Sequence, residues 1–325
     1  VTAPPSLRPG PSTTAAPPPA VPVRRRVRRS PVTWVRGGGP ATVVFLLPML
    51  VVFGLFSWAP IVQSVVMSFQ ETNLVTAPTF AGLENFRTVL ADPLLWTAVR
   101  NTLWFAVLAL LLGYPIPLVA AVLMSEVRRF KGLYSTLAYL PVVIPPVVAV
   151  LLWKFFYDAS PSGVFNTLLG AVGIGPVPWL QDASTAMVSL VIEATWAAAG
   201  GTVIIYLAAL TSVPPEQYEA AEIDGASVWG KVWHVTIPRL RGVLLITFIL
   251  QIVGTAQVFL EPFLFTGGGP ANSTTTVLLL IYNYAFANSL GGDYGSATAL
   301  SLMLAVVLGV LSAIYFRLTR SWSAS

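Results

Sequence analysis

Six long stretches almost free of charge limit what this 325-residue chain can become. No Asp, Glu, Lys or Arg occurs between Arg36 and Glu71, Arg100 and Glu126, Lys131 and Lys154, Arg241 and Glu261, or Asp293 and Arg317. Between Asp182 and Glu216 the one charge is Glu193. A helix that crosses a bilayer needs about 20 mostly apolar residues, and lipid offers no partner to an unpaired backbone group. The windows therefore predict six transmembrane helices, near 41–69, 99–125, 133–156, 184–212, 240–262 and 295–317. Only 10% of the residues are charged, where soluble domains carry about 25%. So few charges cannot solvate the outside of a globular core. The fold class is an all-α integral membrane protein. Prolines inside the windows (Pro48, Pro60, Pro115, Pro117, Pro141, Pro145, Pro146) predict kinks, tolerable where neighbours re-pair the freed backbone groups.

A seventh uncharged stretch, 262–292, begins with the turn-forming "PFLFTGGGPANSTTT" and leaves only "VLLLIYNYAFA" as an apolar run. That run is too short to span and is expected to be an interfacial or re-entrant helix. With six spans, 15 of the 18 Lys and Arg residues fall on one side, leaving Arg87, Arg100 and Lys154 on the other. The positive-inside rule places the basic side, with both termini, in the cytoplasm. A seventh span would export Arg317 and Arg320. Residues 1–36 form a separate tail: "VTAPPSLRPGPSTTAAPPPAVPV" is low-complexity and expected to be disordered, and Arg24 to Arg29 ("RRRVRR") reads as a cytoplasmic anchor rather than a nucleic-acid site. The apolar run after it exceeds the about 7–15 residues of a signal-peptide core, so it is expected to be retained as the first span of a membrane domain over 37–325.

The polar segment between the fourth and fifth windows, "PEQYEAAEIDGASVWGKVWHVTIPRLRG" (215–242), needs its own explanation. It holds four acids within nine residues: Glu216, Glu219, Glu222 and Asp224. Gly225, Gly230 and Lys231 mimic a phosphate-binding loop, but Val232 stands where a Ser or Thr must ligate magnesium, and the preceding residues read as helix rather than strand. Four carboxylates would also repel a triphosphate, so no ATP site is expected in this chain. Pro214-Pro215 predicts a helix start, Glu216 and Glu219 suit its first turns, and Gly225 predicts its end. A second short helix near 226–235 would place Trp229 and Trp233 on one face, with Pro238 opening the fifth span.

The spacing Glu219-Ala220-Ala221, three residues, Gly225, nine residues, Val235-x-Ile237-Pro238 resembles the EAA loop of bacterial ABC importer permeases. It departs from that pattern by Val for Ile and Ile for Leu. Further stretches resemble the carbohydrate-uptake permeases of the maltose and glycerol-3-phosphate type, in particular their first permease subunit. They are "YLPVVIPPVVAVLLWKFFYDASPSGVFNTLL" (139–169), "FLEPFLFTGGGPANSTTTVLLLIYNYAF" (259–286) and "DYGSATALSLML" (293–304). The resemblance implies a coupling helix that docks on a separate ATPase through Glu219, Ala220, Ala221, Asp224 and Gly225, with Pro238 fixing the turn back into the membrane. It also implies a second homologous permease, an ATPase dimer holding ATP and magnesium, an extracytoplasmic solute-binding protein and a sugar or oligosaccharide substrate.

A polyol calls for aromatic faces and hydrogen-bonding side chains without fixed charge or metal. Candidates are Trp153, Tyr157, Trp196, Gln257, Asn283 and Tyr284, each of which packing or interfacial anchoring would also explain. Glu193 is a candidate as the only acid inside a span; Glu261 lies at the outer end of the fifth. The competing reading is an ion-coupled carrier using Glu193, but the sequence lacks a convincing internal repeat. A membrane-embedded enzyme lacks parts: there is no cysteine, His234 is the single histidine, and no span holds a carboxylate pair. No metal or cofactor of its own is expected.

Overall fold

The computed structural model describes residues 39–126, 129–287 and 291–319. The 1–36 tail, the Arg24–Arg29 cluster, Arg128 and Arg320 lie outside the described residues. The chain divides into two units, 1–59 and 60–325, taken separately. In the first, helix α1 (Gly39–Phe53) runs into a π-helical turn, Gly54–Trp58. Its apolar side chains point outward, with Phe45 at 84% and Phe56 at 78% exposure. Such a surface suits lipid and not water.

In the second unit, α2 (Ala59–Met67) leads to a two-stranded antiparallel ribbon, β1 (Gln70–Glu71) and β2 (Thr79–Phe80), with Gln70 opposite Phe80. Then follow α3 (Glu84–Ala91), α4 (Pro93–Leu108), a π turn (Ala109–Gly113) and α5 (Pro115–Glu126). Next come α6 (Lys131–Val143), α7 (Pro146–Phe156), the short α8 (Val164–Gly170) and the 28-residue α9 (Ala183–Leu210). The polar segment forms α10 (Pro215–Ile223), α11 (Val228–Lys231) and a π turn (Val232–Thr236) that continues into α12 (Ile237–Ala256). The chain closes with a π turn (Pro262–Thr266), α13 (Val277–Phe286) and α14 (Tyr294–Thr319).

Five stretches are long and apolar enough to cross a membrane: Pro40–Met67, Pro93–Glu126, Ala183–Leu210, Val228–Ala256 and Tyr294–Thr319. The sixth expected span is not one kinked helix. It is the pair α6 and α7, bent by 99°. Ile144 and Pro145 between them are extended, with ψ of 128° and 132°. A proline forces its predecessor out of the helical region, and here two follow in succession, Pro145 and Pro146. As expected, 277–286 forms a ten-residue helix, too short to span.

Other prolines lie within continuous helices. Three π turns each end two residues before a proline, with Ala59 before Pro60, Tyr114 before Pro115 and Ile237 before Pro238. In each, the residue before the proline donates its N–H five residues back, to Gly54, Ala109 and Val232. The wider turn accommodates the missing N–H and the ring that would strike the carbonyl four residues earlier, so the helix continues.

Polar ties hold the helices of this unit at two levels. At one, the Tyr114 hydroxyl donates to Leu244 O (2.7 Å), Tyr315 to Leu245 O (2.5 Å), and Tyr206 meets Thr247 Oγ1 (2.8 Å). At the other, Asn101 Nδ2 donates to Asn272 O and Thr275 O, Val277 N to Thr102 Oγ1, and Thr276 Oγ1 to Val258 O. Gly200 permits the closest packing of α9 on α6: a Cβ there would lie 2.1 Å from Ala138 O.

Candidate functional site

Two places combine polarity, exposure and definite geometry: the knob at 214–239 and a cavity between helices. In the knob, Pro215 occupies the first turn of α10, where its missing N–H leaves nothing unpaired. The helix ends as predicted. Gly225 adopts φ +77°, its N–H reaches Glu222 O at 3.0 Å, and Ala226 N reaches Ala221 O at 2.9 Å. This is the paired closure that a left-handed glycine allows, and a Cβ at this φ would be strained. Ser227 then caps the next helix, its hydroxyl accepting from Gly230 N at 3.2 Å.

Glu219, Ala220, Asp224 and Gly225 are exposed and Ala221 is half-buried. Ile223, which the spacing did not single out, is 87% exposed at the tip. Trp229 and Trp233 are also exposed. The second helix does not end near 235, and Pro238 does not turn the chain. Val228–Ala256 runs through as one helix, because the π turn before Pro238 absorbs the proline. Three side-chain pairs cross the Gly225 bend: Lys231 Nζ to Glu222 Oε1 (2.6 Å), Tyr218 Oη with Thr236 Oγ1 (3.1 Å), and Arg239 Nε to Gln217 Oε1 (2.9 Å). The hydrogen bond and charge of Lys231 hold the Glu222 carboxyl below the usual carboxylate range.

The cavity has a volume of about 530 Å³ and lies between α4–α5, α9 and α12. Tyr114, Thr195, Thr202, Thr247 and Gln251 supply its polar wall, with Gln257 and Glu261 at one end. The helices approach closely at its edge, since a Cβ on Gly113 would lie 3.0 Å from Thr195 Oγ1. Thr195, Ala198 and Thr202 recur at helical spacing within 194–202, where every residue but Trp196 is small, a signal that the sequence carries.

Of the predicted pathway residues, Gln257 lines this cavity, with Glu261 near it. Trp153, Tyr157 and Trp196 come together beside it in an aromatic cluster, with Trp153 5.4 Å from Trp196 and 5.5 Å from Tyr157 between ring centres. Tyr157 is 1% exposed and donates to Ser189 O at 2.8 Å, so packing occupies both its ring and its hydroxyl. Glu193 is 2% exposed and interacts electrostatically with Tyr157 and Glu261. Its Oε2 and the Trp153 Nε1 are buried with no hydrogen-bond partner among the described residues. Asn283 and Tyr284 lie apart on α13, where the Tyr284 hydroxyl donates to Asp92, the cap of α4. The exposed His234 has Nδ1 2.9 Å from Gly230 O. Among the described residues, no group of His, Asp and Glu is arranged to hold a metal.

The chain is 36% identical over 282 residues to the lactose transport system permease protein LacF of Rhizobium radiobacter, covering 85% of this chain and 93% of the relative. It is 33% identical to the arabinooligosaccharides transport system permease protein AraP of Halalkalibacterium halodurans, covering 85% and 86%. The crystal structure of a bacterial ABC transporter involved in the import of the acidic polysaccharide alginate contains a chain that superposes with a TM-score of 0.76 at 25% identity, covering 88% of this chain and 97% of that one. The family pattern of the binding-protein-dependent transport system inner membrane component matches residues 113–323, which include both the knob and most of the cavity wall. This chain, a multi-pass membrane protein, belongs to that family of ABC importer permeases.

Proposed function

We propose that this chain forms part of the transmembrane path of an ATP-driven importer for a sugar or oligosaccharide. The observation that carries the substrate class is the likeness over about 85% of the chain to permeases named for lactose and arabinooligosaccharides. The cavity is compatible with that class: hydroxyl and amide groups are set among apolar side chains in its wall, and aromatic rings lie beside it. Trp153, Trp196 and the buried Glu193 carboxylate are proposed to contact passing hydroxyls, with Gln257 at the cavity end. Asn283, Tyr284 and Tyr157 support the walls.

The knob is proposed to face the cytoplasm, as are both termini, and to dock on an ATPase through Glu219, Ala220, Ala221, Asp224 and Gly225. Its exposure, the bare tip at Ile223 and the spacing of its small residues support this reading. ATP and magnesium would bind that ATPase, with a second permease and an extracytoplasmic solute-binding protein completing the complex. The relatives reported above are ABC permeases, and none is named as an ion-coupled carrier. The test is reconstitution with the products of the neighbouring genes in proteoliposomes, assayed with lactose, arabinooligosaccharides and alginate oligosaccharides. Uptake of at least one that requires ATP is the expected result. Uptake that persists without ATP and collapses with a proton ionophore would return Glu193 to an ion-coupled role.

A further inference from the structure

The three pairs across the Gly225 bend form a pattern that the motif does not contain. Gln217, Tyr218 and Glu222 lie along α10, and their partners Arg239, Thr236 and Lys231 lie along the foot of the fifth span in reverse order. The first residue on one side pairs with the last on the other, as in a hairpin of two helices. A nine-residue helix is too short to hold its shape alone in water, and a lone glycine bend would let it swing. Pairs near both ends of α10 remove that freedom. The connection to the fourth span is the short backbone stretch 211–214.

We propose that this clamp joins α10 and α12 into one mechanical unit, so that a push on the knob reaches the fifth span instead of being lost in the loop. Gln217, Tyr218 and Glu222 are then positioning residues, distinct from the residues that meet the ATPase. The fifth span carries Gln251 of the cavity wall and ends just before Gln257, so the clamp links the knob to the path. Each pair alone is a single polar contact of modest strength, two of them exposed and Tyr218–Thr236 part-buried, so all three must be removed to see the effect. The inference rests on the reading that α10 docks on an ATPase.

The chain contains no cysteine, so introduced cysteines label uniquely when the purified chain is labelled before assembly with its partners. In the full complex in lipid nanodiscs, spin labels at Glu216→Cys and Ile246→Cys report α10 against α12. Labels at Glu216→Cys and Ile204→Cys report α10 against α9. On addition of ATP and vanadate, the first distance should stay constant while the second changes. In the triple variant Gln217→Ala/Tyr218→Phe/Glu222→Ala the ATPase should still co-purify, but the ATP-driven change in the second distance should fall on the order of fivefold or more. Restoring the Glu222–Lys231 pair with charges exchanged (Glu222→Lys with Lys231→Glu) in the Gln217→Ala/Tyr218→Phe background should recover part of it. A first distance that changes as much as the second in the unaltered clamp overturns the inference, as does a triple variant whose second distance responds like the parent. Failure of the ATPase to bind the unaltered chain would overturn the docking reading, and the inference with it.

Discussion

The knob at 214–239 and the aromatic cluster around Trp153 are both dense in chemistry, yet they are held in opposite ways. The cluster is closed on itself. Tyr157, Phe165, Trp179 and Phe265 pack ring against ring, and the 3% exposed Asn166 ties the loop beneath them. The Asn166 amide donates to Asp158 O, Ser160 O and Val177 O, and its oxygen accepts from Val177 N and Trp179 Nε1. Helix α10 of the knob has no buried residue and depends on a Gly-closed end and three polar pairs. A region built to be covered by a partner must leave its surface bare, so it cannot also be held by burial. Polar ties are what remain.

Perturbing each region should therefore separate function from stability. The largest effect expected is from Gly225→Asp, which places a carboxylate on the proposed docking face. ATP-driven uptake should be abolished, with the protein still inserted and its thermal stability lowered by about 1 kcal/mol for a side chain in left-handed backbone. Normal uptake by this variant would mean the knob is not the coupling element. In the closed region, Asn166→Ala leaves Val177 N and the Trp179 ring N–H unpaired and should cost about 2–4 kcal/mol, seen as a lower Tm in detergent. Tyr157→Phe removes one buried hydrogen bond to Ser189 O, should cost about 1 kcal/mol by the same measurement, and should leave uptake intact. A loss of uptake with no change in Tm would make Tyr157 a substrate contact instead.

The smallest effect concerns pH. Lys231 holds Glu222 below its ordinary range, so the pair is fully formed above the unfolded carboxylate value near about 4.3 and is lost only as pH falls through the lower folded one. The distance between labels on α10 and α12 should thus stay flat from about pH 8 to 5. A change within that window would show that Glu222 does not keep its charge there.

Much of this was legible before any coordinates. The charge-free windows marked five continuous spans, four of them near their observed bounds, whereas the fifth helix runs Val228–Ala256 and not 240–262. The Glu219-Ala220-Ala221 spacing with Gly225 marked a short helix and its closure. Prolines were the weak point, because their consequence depends on the turn that precedes them. Pro60, Pro115 and Pro238 are absorbed by π turns, whereas Pro145-Pro146 break the chain by 99°. The cavity was half visible: Gln257 lines it, but Thr195, Thr202 and Gln251 went unnoticed because small polar residues on an apolar helix look like packing. Asn283 and Tyr284 were grouped with Trp153 by residue type, and the fold sets them apart on α13.

By itself the sequence determined that this chain lives in a membrane, how many times its length allows it to cross, and where a polar knob interrupts the crossings. These follow from local terms, the transfer of apolar side chains and the conformational limits of Gly and Pro, which act wherever the residue sits. The tertiary structure alone decided which helices enclose the cavity and which side chains clamp the knob to the fifth span. Those depend on pairs such as Glu222 with Lys231 or Gly113 with Thr195, whose meeting is set by how helices pack and not by distance along the chain.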